Sequence, residues 1–206
     1  MAAGCCALIL LCCILIRAES SAPSLGVREA KYSNSFRLAR SARTRVQQLL
    51  LRYQKEQQLG DKNFEDRGGH LKDLPMLSTD FDSWLHLTDW ERLHAALSDM
   101  QAYRKSLEWK RNELETEEKE KTAHNTLSQS IKHIELDLRD LMSQVKSQMS
   151  YIKNASRKPT FPTVQTPMMS KTVWESRVEG YIILRDLDLY LTKLARDFLL
   201  LASKTQ

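Results

Sequence analysis

All five prolines of the chain (Pro23, Pro75, Pro159, Pro162 and Pro167) fall outside four long stretches in which apolar residues return every three or four positions. Proline breaks a helix interior, because it lacks a donor N–H and its ring strikes the carbonyl four residues back. Its confinement to the intervals marks the four stretches as helices. Six glycines in 206 residues point the same way, since a sandwich or barrel needs turns at short spacing. The expected fold class is all-α, with 42% apolar residues available to fill one core.

The first stretch predicts a helix over 33–57, with Phe36, Ala39, Ala42, Val46, Leu49 or Leu50, and Tyr53 on one face and Leu59-Gly60 as its stop. The second covers 88–121, with Trp90, Leu93, Leu97, Met100, Tyr103, Leu107 and Leu114 as its stripe. Thr88-x-x-Glu91 has the form of a capping box. Its end, from Glu113 to Lys121, is almost wholly charged and reads as a solvated overhang laced by Glu115–Lys119 and Glu117–Lys121 pairs. The third covers 126–153 and is the cleanest heptad: Leu127, Ile131, Ile134, Leu138, Leu141, Val145, Met149 and Ile152, behind a second box at Thr126-x-x-Gln129. The fourth covers 172–202, with a third box at Thr172-x-x-Glu175. Leu184, Leu187, Leu191, Leu194, Phe198 and Leu201 form one stripe, and Val178, Ile182 and Leu189 a second beside it. An apolar arc that wide predicts burial against two neighbours.

The connections constrain topology. About four residues join the second and third helices, which makes those two antiparallel. The first and third connections have about thirty and about eighteen residues. Eighteen extended residues reach about 59 Å, more than the about 37 Å of a 25-residue helix, so both can run the length of a bundle. Two long crossovers flanking one short turn predict a long-chain four-helix bundle of up-up-down-down topology.

The N-terminus fixes the compartment. Cys5 to Ile16 form an unbroken apolar run of 12 residues, too short for a spanning helix, which needs about 20. It fits the core of a secretory signal peptide over 1–22, with cleavage near 18–22 among Ala18, Ser20, Ser21 and Ala22. The competing reading is a short membrane anchor, since no Lys or Arg precedes the run. All four cysteines (Cys5, Cys6, Cys12 and Cys13) lie inside it. A mature chain over 23–206 would hold none, although a secreted location permits disulfides. It is therefore expected to rely on its core and to fold in reducing buffer.

The residues offer little to an enzyme. Elbow, phosphate-loop and zinc-protease motifs are absent, and Gly60, Gly68 and Gly69 read as loop flexibility. A di-iron bundle needs paired Glu-x-x-His motifs. Glu91-x-x-His94 stands alone, and its Glu91 is better used in the cap. No catalytic, cofactor or metal site is assigned. The +5 net charge suits weak attraction to acidic cell-surface glycans and does not demand nucleic acid. Asn154-Ala155-Ser156 is a glycosylation sequon at the start of the Pro-rich connection. A secreted amphipathic-helix lipid carrier is the competing class; such a carrier would show repeated units punctuated by proline.

Three segments carry a resemblance. HLKDLPMLSTD (His70–Asp80) holds a Leu-Pro-x-Leu segment. MQAYRKSLEWKRNEL (Met100–Leu114) holds a Tyr-Arg … Trp-x-Arg run. The last helix opens on Trp174 and closes with ARDFLLL (Ala195–Leu201). Together with a cysteine-free mature chain, they resemble the interleukin-6 family of four-helix cytokines, its interleukin-11 branch in particular. The resemblance implies a ligand that binds a specific alpha receptor and recruits a shared signalling receptor to activate JAK/STAT signalling, through three surfaces. It places Arg196, at the end of the last helix, and the first connection on the alpha-receptor surface. It places Trp174 on the third surface and leaves the second, on helices one and three, without a named residue. Thr79 stands where mammalian members carry methionine. Trp174 also stands out by itself, at a helix start where burial is hard. An exposed Trp is a common binding anchor; the alternative is a Trp folded onto the bundle end. For Arg196 the alternative is a solvated arginine favoured by the helix dipole.

Overall fold

The computed structural model describes residues 24–60, 69–76, 80–121, 126–152 and 172–204, the side chains of 118–121 excepted. The predicted signal peptide, Thr79 and Asn154 lie outside the described residues. Five helices follow one another: α1 (Leu25–Glu56), α2 (Phe81–His86), α3 (Asp89–Lys121), α4 (Thr126–Met149) and α5 (Val173–Ser203).

Helix α1 begins eight residues earlier than its apolar pattern predicted. Tyr32, Ser35, Ala39, Ala42, Val46, Leu49 and Tyr53 are buried in an alternation of three and four, with Gln54 buried beside the last of them. Ser35 hid the stripe, because a buried serine looks polar in the sequence. Its hydroxyl is satisfied across the bundle, donating to Gln144 Oε1 at 2.6 Å and accepting from Gln148 Nε2 at 2.7 Å. The stop also differs. Gln58, not Gly60, takes the first left-handed position, with φ 54°. Leu59 N–H donates to Gln54 O and Gln58 N–H to Lys55 O, the paired bonds of a Schellman motif, with Leu59 buried.

Two of the three predicted caps form. Thr88 and Glu91 exchange both bonds of the box, at 3.2 and 2.9 Å, and the Thr88 hydroxyl donates to the same carboxylate at 2.7 Å; this hydroxyl bond first, and the Thr88 N–H bond second, lower the Glu91 pKa. Thr172 accepts from Glu175 N–H at 3.1 Å. Thr126 is instead the first residue of α4, and its hydroxyl accepts from Arg52 Nη1 at 3.0 Å. At its far end α4 stops at Met149, and Tyr151 and Ile152 close tight turns onto Gln148 O and Met149 O. Helix α2 was not anticipated; Asp80 caps it by accepting from Ser83 N–H at 3.2 Å.

Helices α1 and α3 each pack against both α4 and α5. Cross-bundle bonds give the directions. Ser35 meets Gln144, Arg45 meets Asp137 and Arg52 meets Thr126, so α1 and α4 are antiparallel. Arg43 meets Asp188 and Tyr53 meets Arg177, so α1 and α5 are antiparallel. Arg92 meets Asp197 and Lys110 meets Ser176, which sets α3 antiparallel to α5. The predicted stripes converge on one core, in which Tyr53, Met100, Leu138, Leu187 and Phe198 are fully buried. Each such side chain contributes about 1.5–3 kcal/mol.

Two expectations fail here. Leu189 is 52% exposed, because α5 buries the neighbouring positions Tyr181, Ile183 and Tyr190 in the core, the last bonded to Ala96 O of α3, and turns position 189 outward. The charged end of α3 is not all solvated either: Leu114 is buried, and Glu113 bonds to Lys110 and to Ser176. Glu115 pairs with Arg111, at 2.7 Å; the predicted partners Lys119 and Lys121 fall on side chains that are not described.

Candidate functional site

Trp174 sits in the first turn of α5, just inside the Thr172 cap, and is 51% exposed. Its ring borders a shallow apolar cavity of about 290 Å³ that Leu71, Val178 and Ile182 also line. Leu71 comes from the first connection, which Arg185 holds against α5 by donating to Gly69 O at 2.6 Å. Two devices fix this end of α5. Lys110, buried on α3, donates to Ser176 O at 2.8 Å, to Ser176 Oγ at 2.7 Å and to Glu113 Oε2 at 2.8 Å. Its burial lowers the amine's pKa. The second device is Gly180, where a Cβ would lie 2.0 Å from Tyr53 Oη and 2.6 Å from Lys110 Cε. Glycine there lets the buried Tyr53 reach Arg177 O, to which it donates at 3.2 Å.

Arg196 lies near the opposite end of α5, exposed, and makes no hydrogen bond or ion pair with the described residues. Its neighbour Asp197 is buried. Asp197 Oδ1 accepts from Arg92 Nη1 at 2.6 Å and from Trp84 Nε1 at 2.7 Å, while Oδ2 faces Lys193 Nζ at 3.5 Å. Arg92 Nη2 donates to Trp84 O at 2.6 Å, and the guanidinium lies 4.8 Å from the Trp84 ring centroid. This junction ties α2 to the ends of α3 and α5. On the outward side of α2, Phe81 and Leu85 are exposed, as is Leu199 on α5.

The seam between α1 and α4 is polar. Besides Ser35, Gln144 and Gln148, Lys31 hydrogen-bonds the Tyr151 hydroxyl and lies 4.1 Å from that ring's centroid. Lys31, Gln144 and Gln148 border a cavity of about 310 Å³ together with Asn34, Ser143 and Ser147.

The candidate metal motif resolves into structure: Glu91 caps α3, and the His94 ring stacks on Trp90 at 4.8 Å. Sequence reasoning missed the two buried cations. Lys110 did leave a signal, because it continues the stripe Tyr103, Leu107, Lys110, Leu114 where a hydrophobe belongs. Arg92 left none beyond standing next to Leu93.

A family model described as Interleukin 11 matches residues 27–205 of the chain. No curated protein matches it.

Proposed function

The chain belongs to the interleukin-11 family, so it is a cytokine of the interleukin-6 family and not an enzyme; from that premise we propose that it binds a specific alpha receptor and recruits the shared signalling receptor, activating JAK/STAT signalling. The observation that carries the reading is the pair of exposed anchors on one helix, Trp174 at its capped start and Arg196 near its end. Twenty-two residues at 1.5 Å each set them about 33 Å apart, far enough to serve two different receptor chains. Arg196, with the exposed Phe81 and Leu85 of α2, faces the alpha receptor. Trp174, with Leu71, meets the second copy of the signalling receptor. The three antiparallel pairings, α1 with α4, α1 with α5 and α3 with α5, support an up-up-down-down order for α1, α3, α4 and α5. Residues 1–22 direct secretion and are removed, Asn154 carries a glycan, and the +5 charge gives weak attraction to acidic glycans. Against a lipid carrier stand the apolar stripes, which face one shared core rather than a lipid surface.

Two variants test the reading. Arg196→Glu should weaken alpha-receptor binding by about 2–5 kcal/mol, as expected when one partner of a desolvated charge pair is reversed, with unchanged helicity. Trp174→Ala should bind the alpha receptor normally, fail to signal and compete with the wild type in a cell reporter assay. Loss of about 3–5 kcal/mol of stability on Trp174→Ala, the cost of truncating a buried aromatic, with proportionate loss of all binding, would sink the anchor assignment.

A further inference from the structure

We propose that Asp197 and Trp84 are positioning residues for the alpha-receptor surface: their junction with Arg92 holds α2 against the end of α5 that carries Arg196, so that the exposed Phe81 and Leu85 belong to the same binding face. The inference rests on the assignment of that surface above and adds residues that are themselves turned away from it.

Helix α2 has six residues and no buried side chain of its own. Isolated helices shorter than about 12 residues are marginal in water, because the first turn costs more backbone entropy than it returns. Something outside α2 must hold it, and the described contacts converge on Trp84. Its indole N–H donates to Asp197 Oδ1 at 2.7 Å, its carbonyl accepts from Arg92 Nη2 at 2.6 Å, and its ring lies under the Arg92 guanidinium. Phe81 packs its ring 5.8 Å from the same indole.

The Arg92–Asp197 pair is a poor device for stability alone. Both side chains are almost fully buried, at 1% and 3% exposure. Desolvating two charges costs several kcal/mol per ion, and well-packed apolar residues often do as well or better. Arg92 Nε finds no acceptor among the described residues, which adds to the cost. An apolar pair, however, would offer α2 no directional partner. The carboxylate and guanidinium give its one anchoring residue an acceptor and a donor at fixed positions.

The test uses the full mature chain with Trp84→Phe, which deletes the N–H donor and keeps an aromatic ring under Arg92. The buried ion pair is untouched, so the fold should survive. Amide hydrogen exchange in residues 81–86 should accelerate, and alpha-receptor affinity should fall about tenfold, the effect of removing one charge-assisted hydrogen bond. Binding of the signalling receptor at the Trp174 end, measured with its ectodomain, should not change. Arg196→Glu is run beside it. If Arg196→Glu weakens alpha-receptor binding and Trp84→Phe accelerates exchange without changing affinity, the positioning role is overturned and the surface assignment stands. Unchanged exchange in 81–86 overturns the clamp itself. If Arg196→Glu has no effect, the surface assignment fails, and the exchange result still reports on the clamp. A second variant, Arg92→Met with Asp197→Leu, keeps the volume apolar; full affinity in that protein would also overturn the proposal.

Discussion

Each end of α5 is held by a cation that α3 buries, and the two are held in different ways. Arg92 and Lys110 are 18 residues apart, five turns, so they share one face of α3 about 27 Å apart. At the Arg196 end, charge faces charge: Arg92 meets the Asp197 carboxylate, with Lys193 beyond it. At the Trp174 end, Lys110 meets a backbone carbonyl, a hydroxyl and a part-exposed Glu113. Arginine stays charged in any protein environment, whereas a lysine amine gives up its proton when burial demands it. The first end therefore depends on a fully buried ion pair, and the second on a lysine that shares a backbone carbonyl, a hydroxyl and one part-exposed carboxylate.

That contrast is broken or sharpened most strongly by paired truncations. Asp197→Ala leaves a guanidinium buried without its counter-charge and should cost about 3–5 kcal/mol. Ser176→Ala leaves Lys110 with the Ser176 carbonyl and Glu113, and should cost about 1 kcal/mol. Chemical denaturation of both variants measures the difference, and equal losses would end the contrast.

Gly180→Ala comes next. The added Cβ overlaps the Tyr53 hydroxyl and Lys110 Cε, and overpacking of this kind costs about 1–3 kcal/mol. Alanine returns up to about 1 kcal/mol of helix propensity, so a net loss of up to about 2 kcal/mol is expected. In a Tyr53→Phe background the loss should shrink, because the nearest atom is gone. An undiminished loss there would move the strain away from Tyr53.

Asp99 belongs to the Arg92 end, and its effect appears only as pH rises. Burial raises its pKa to about 6, opposed by Lys193 and reinforced by Asp197. Between the ordinary carboxylate value and about 6, the folded chain holds a proton that the unfolded chain has lost, so this group's contribution to stability falls as pH rises through that window. Asp99→Asn should therefore match the wild type near pH 4 and exceed it by up to about 2 kcal/mol at pH 7. Denaturant titrations at the two pH values check this, and a pH-independent difference would contradict it.

Much of this molecule could be read from the chain because its signals are local. Stripes at three-and-four spacing located α3, α4 and α5 to within a few residues, and the Thr88 and Thr172 caps needed only residues three apart. Trp174 and Arg196 stand out as candidates for the same reason, Trp174 by its place at a helix start and both by the short motifs that carry the resemblance. The errors arose where a residue's meaning depended on a distant partner. Ser35 reads as polar until Gln144 and Gln148 cover it, and α1 accordingly starts early. Leu189 reads as core until α5 has chosen its two neighbours.

The sequence by itself determined an all-α chain with four long helices, and the resemblance of its motifs pointed to the family. Apolar periodicity and capping chemistry act within a few residues, so no tertiary information was needed for them. Only the tertiary structure decided which polar residues are buried, where α2 rests and what surrounds Trp174 and Arg196 on α5. Arg92 and Asp197 are separated by 105 positions, and Lys110 and Ser176 by 66. The desolvation of a charge is settled by what packs over it, and that is known only once helices from both halves of the chain have come together.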